Sequence, residues 1–76
     1  MMFLDDQDMT AVNSGITTAE RGIWQQEKIV AELHRLGEPT HLAEKFLIRL
    51  RDTLEMRKQY RDKLMASKAD AARQVL

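Results

Sequence analysis

One proline interrupts this chain, and it stands two residues after a glycine in the stretch Gly37-Glu38-Pro39-Thr40. Glycine supplies the left-handed position that ends a helix, proline prevents its continuation, and threonine caps the next one. Upstream, Thr17-Thr18-Ala19-Glu20 fits a capping box, in which Thr17 accepts from the N–H of residue 20 and Glu20 reaches back. This punctuation predicts a helix from about 18 to 36, a turn over 37–40 and a second helix from 41 to about 72. So short a connection forces the helices antiparallel. The expected fold class is therefore all-α, an antiparallel helical hairpin, with Val30 facing Leu47 and Ile23 facing Leu54.

Helical periodicity gathers Ile23, Gln26, Ile29, Val30, Leu33 and Leu36 on one face of the first helix. On the second, Leu42, Ala43, Phe46, Leu47, Leu50, Thr53, Leu54, Met56, Tyr60 and Leu64 form a stripe about half the circumference wide. One neighbouring helix covers only a narrow seam, so the stripe calls for a further neighbour. Beyond about residue 60 the second helix also outruns the first. Both points lead to the expectation that two hairpins dimerise into a four-helix bundle.

Residues 1–16 are expected to form an amino-terminal arm or a short helix, carrying Met2, Phe3, Leu4, Met9 and Val12 and ending in a break at Asn13-Ser14-Gly15.

A chain of 76 residues buries a modest core, and small domains rely on disulfides, metals or partners. There is no cysteine, which removes disulfides and thiolate chemistry and suits a cytoplasmic location. The longest apolar runs fall far short of a membrane span, and Met1 to Leu4 precede acids rather than forming a signal peptide. Self-association is the remaining source of stability.

Polar residues interrupt the stripes at Gln26 and Arg57. A polar residue in a helical seam fixes register, and Arg57 needs a carboxylate if it is buried; the expected pairing offers Glu20. Trp24, the only tryptophan, points away from the first helix's stripe, and Ile48 is similarly displaced on the second. Aromatic side chains are favoured anchors at interfaces. Trp24, Ile48, Tyr60 and Leu64 are accordingly the expected interface residues, with Gln26, Glu20 and Arg57 setting register.

Catalytic groupings are not evident. His34 and His41 flank the turn without a metal-ligand spacing, Ser14 and Ser67 have no histidine at motif spacing, and the three glycines form no phosphate-binding loop. No enzyme activity, cofactor or metal is expected. Net charge is zero, but residues 1–40 carry seven acids against three bases and residues 41–76 nine bases against five acids. Arg49, Lys58, Arg61, Lys63 and Lys68 could therefore contact phosphates, making an RNA- or DNA-binding dimer the alternative. Against it, acids recur one turn from bases, as in Arg51–Glu55 and Lys58–Asp62, the pattern of a self-paired solvated face.

The pattern Ala19-Glu20-Arg21, Gln26, Leu33, Gly37, Thr40, Leu42-Ala43-Glu44, Thr53-Leu54 and Arg61-Asp62-Lys63-Leu64 resembles a set of short alphaproteobacterial hypothetical proteins with a similar hairpin. The resemblance spans residues 19–64. It departs at Trp24 and Arg57, where that set tends to carry a small or charged residue and a histidine. It implies a helical hairpin of bacterial source and carries no activity. Together these features point to a small cytoplasmic interaction or regulatory protein, associating with itself and with another protein as a further candidate partner.

Overall fold

The computed structural model describes residues 6–74 as two α-helices, α1 (Asp6–Arg35) and α2 (His41–Gln74), packed side by side. Met2, Phe3 and Leu4 lie outside the described residues.

The turn is built as its residues require. Gly37 takes φ 72°, the left-handed conformation that a side chain disfavours. Glu38 N–H then donates to the Leu33 carbonyl at 2.9 Å and Gly37 N–H to the His34 carbonyl at 3.1 Å, the paired bonds of a Schellman ending. On the other side the Thr40 carbonyl accepts from Glu44 N–H at 2.8 Å and opens α2. In the last turn of α1 Arg35 pairs with Glu32, donating through Nε at 3.0 Å. That bond draws Glu32 below its ordinary carboxylate value and raises Arg35. Both groups are exposed, so the pair is lost as pH falls through the lowered Glu32 value, with little effect on the fold.

The first helix begins at Asp6, well before the capping box at Thr17, and passes through Asn13-Ser14-Gly15 unbroken. Local preference there is overridden by packing. Met9, Val12, Ile16, Ala19, Ile23, Gln26, Val30 and Leu33 alternate in steps of three and four, and each is buried or half-buried. Stopping at Gly15 would forfeit the seam positions of Met9 and Val12, whereas an interior glycine costs about 1 kcal/mol relative to alanine. The two helices are consequently of similar length, 30 and 34 residues. The expected overhang of α2 from about residue 60 is thereby shortened to its last turns, past the level of Asp6, and argues less for a dimer.

On α2 the same alternation runs through Thr40, Ala43, Leu47, Leu50, Leu54, Arg57, Arg61 and Leu64, and all but Arg57 are buried or half-buried. Three contacts tie the ladders together. Gln26 Nε2 donates to the Ala43 carbonyl at 3.0 Å, Arg57 Nη1 donates to the Gly15 carbonyl at 2.6 Å, and Glu27 lies 3.8 Å from Arg51. Aligned through these contacts, Ile23 pairs with Leu50, Ala19 with Leu54 and Ile16 with Arg57. This register is displaced by about one helical turn from the expected one, so Arg57 meets Gly15 rather than Glu20. The displacement reflects the five residues between the helices, two of which complete the Schellman ending before the chain reverses.

The resulting rod measures 62 × 16 × 16 Å. Its buried apolar residues are Ile16, Ala19, Ile23 and Leu47, and no large side chain among the described residues is fully enclosed. Leu47→Ala should lower unfolding free energy by about 2–3 kcal/mol, the cost of truncating a buried leucine. Gly37→Ala should cost about 1–2 kcal/mol through the left-handed backbone. Urea denaturation followed by far-UV circular dichroism measures both.

Candidate functional site: an open apolar flank

The seam divides the rod into two flanks. Residues one position before each seam residue lie on one side of the hairpin, and residues one position after lie on the other. Antiparallel packing keeps these sides matched between helices, because reversing the chain and turning it to face its partner each invert the sense. Two observations agree with this geometry. Glu27 and Arg51, both in the following position, pair across one side. Ala11, Gly15 and Tyr60, all in the preceding position, line a hollow of about 270 Å³ with Val12 and Arg57 on the other.

The flanks differ chemically. The following side carries Glu20, Glu27, Glu44, Arg51, Glu55, Lys58 and Asp62, a charged and mainly acidic edge, with exposed Met65 at its far end. The preceding side carries Ile29 from α1 and Leu36 just past its end, with Leu42, Phe46, Met56 and Tyr60 from α2, all exposed. On α1 the same side also carries Ala11, Gly15 and Gly22, together with the polar Thr18, Gln25 and Glu32. Leu42 is 79% and Met56 68% exposed, well beyond the scattered apolar exposure of an ordinary surface. The broad stripe expected on α2 is thus resolved into an inner ladder that meets α1 and an outer ladder that stays largely exposed among the described residues.

The expected interface residues separate accordingly. Tyr60 is 56% exposed on the apolar flank, beside Gly15. Leu64 is half-buried in the seam line. Trp24 and Ile48 lie on the charged flank, so one flat contact cannot use both Trp24 and Tyr60. Lys28 Nζ sits 4.2 Å from the centre of the Trp24 ring, a cation–π contact that covers part of the indole. Sequence reasoning missed Ile29, Leu36, Leu42, Phe46 and Met56 as one surface. Each was assigned to a stripe, but the stripe's division requires the phase of both helices.

Gln26 is 8% exposed, and its amide reaches across the seam to Ala43. Glu20 is exposed and stands apart from Arg57, which rests on the Gly15 carbonyl instead. Arg61, next in the seam line, bonds Asp62 at 3.1 Å through both Nε and Nη2. The residues considered for nucleic acid do not share a face. Arg49 and Lys63 fall on the apolar flank, Lys58 on the charged one, and Arg61 and Lys68 follow the seam line.

His34 and His41 are exposed, and among the described residues no three metal-ligating side chains of the His, Cys, Asp or Glu type converge. Neither described helix is long and apolar enough to cross a membrane. Compared with protein-family models, with curated proteins and with solved structures, the chain matches none.

The Gln26 bond makes a specific expectation. Gln26→Leu should keep or raise the thermal midpoint, since leucine adds buried apolar area, yet loosen the register. In an amide ¹H–¹⁵N spectrum the α1 resonances near residue 26 should broaden or multiply. A single sharp set would show that apolar packing alone holds the register.

Proposed function

We propose that this is a small, non-catalytic helical interaction protein of the bacterial cytoplasm, acting through self-association, with a second hairpin completing a four-helix bundle. The observation that supports this reading is the open flank formed by Ile29, Leu36, Leu42, Phe46, Met56 and Tyr60. A hairpin alone leaves these six side chains in water, at a cost that burial against two more helices would remove. The charged flank, with Trp24 and Ile48 at its border, remains outside such a bundle and is available to a regulatory partner.

The test is solution mass by light scattering over a concentration series. The native chain should be dimeric at micromolar concentration. Phe46→Glu or Tyr60→Glu should convert it to a monomer that keeps its helical circular dichroism, while Trp24→Ala should leave the dimer unchanged. A folded native monomer at all concentrations would refute the reading.

A further inference from the structure

Two arginines stand in the seam line, and only one has an acid. Arg61 bonds Asp62, whereas Arg57 donates through Nη1 to the Gly15 carbonyl at 2.6 Å and pairs with no carboxylate among the described residues. That bond uses one of the five N–H donors of a group that is charged at any working pH. Beside the guanidinium lies the hollow of about 270 Å³ lined by Ala11, Val12, Gly15 and Tyr60. Gly15 has no local reason to be glycine. Among the described residues only Gly37 has a positive φ. A Cβ at Gly15 would rest 3.7 Å from Arg57 Nη1, an ordinary contact. Alanine would serve the helix better, so what glycine adds there is room in the hollow.

We propose that this hollow binds a small apolar monocarboxylate of the arylalkanoate type, its carboxylate on Arg57 and its apolar body among Ala11, Val12 and Tyr60. The planar guanidinium matches a carboxylate fork to fork. One cation balances one negative charge. A phosphate or a dicarboxylate would have to shed more water against apolar walls without a second cation to replace it. The Gly15 carbonyl holds the guanidinium in place before a ligand arrives, which lowers the ordering cost of binding. The Tyr60 ring offers an aromatic body an edge or a face. On the same side the neighbouring charges are Lys63 and Asp8, so within the hollow Arg57 is the recognising group.

Size and exposure set the scale of the interaction. At interior packing density the hollow holds roughly 200 Å³ of ligand, room for 3-phenylpropionate. Tyr60 is 56% exposed and Arg57 is exposed as well, so the ligand stays open to water on one side. A dissociation constant on the order of 1 mM is expected for a ligand of this size in such a site. Both helices of one hairpin build the hollow, so the site does not rest on the proposed self-association.

The test is a titration of the ¹⁵N-labelled chain with 3-phenylpropionate. Amide shifts should saturate and centre on Ala11, Val12, Gly15, Arg57 and Tyr60. The neutral 3-phenylpropanamide should bind at least about ten-fold more weakly, and Arg57→Gln should weaken the acid to a similar degree. Equal binding of acid and amide would overturn the role of Arg57. Gly15→Ala should raise the thermal midpoint yet weaken binding by at least about five-fold, opposite effects that a merely structural glycine would not give. Unchanged binding in that variant would remove the hollow as the site. The titration is repeated on Phe46→Glu, which leaves the hollow intact. Binding by that variant alone would show that a second copy covers a working site. Absence of saturation in both chains by about 20 mM, far above the expected constant, would overturn the proposal.

Discussion

Two side-chain hydrogen bonds cross the seam of this rod, Arg57 to the Gly15 carbonyl at its exposed end and Gln26 to the Ala43 carbonyl within it, and the buried one fixes the register. Gln26 is buried between two helices whose other contacts are mostly leucine, isoleucine and alanine, and it donates across the seam to the Ala43 carbonyl. Apolar ladders with the same three–four spacing can slide by one repeat and still meet side chain to side chain. A hydrogen bond cannot slide without leaving a polar group unsatisfied in a desolvated seam, at about 1–3 kcal/mol. The register then decides which residues become the two flanks, and so which surface the molecule offers.

The seam is also thin. Among the described residues only Ile16, Ala19, Ile23 and Leu47 are buried apolar side chains, and the cross-helix ion pair of Glu27 and Arg51 is half exposed and contributes little. Much of the fold's cohesion is local: hydrogen bonds within each helix, the Schellman ending at Gly37 and neighbours one turn apart. Such a topology has little long-range order to establish and should fold fast. It should also be marginal alone, as small cores are, which makes the uncovered flank a matter of stability as well as recognition.

Part of this was legible from residues in order. Gly37, Pro39 and Thr40 located the turn, and the second helix begins where the threonine cap placed it, because these signals act through backbone geometry. Asn13-Ser14-Gly15 misled for the opposite reason. The break they suggest is a local preference, and Met9, Val12 and Ile16 continuing the seam outweigh it. The half-circumference stripe of α2 was visible, but not its division into an inner ladder on α1 and an outer ladder in solvent. That division depends on how two helices are phased against each other, and a shift of one turn is below what spacing around a turn can resolve. Trp24 drew attention as the largest displaced side chain, whereas the more coherent surface is made of ordinary residues.

Trp24 still has a distinct consequence. As the sole indole, capped by the Lys28 ammonium on the flank away from both the seam and the apolar ladder, it dominates the emission of the protein while sitting apart from its core. Its fluorescence should therefore register the local state of α1 and the ionic environment of that ammonium far more than the packing of the hairpin. The molecule carries an optical probe of its charged edge that is nearly blind to its apolar one.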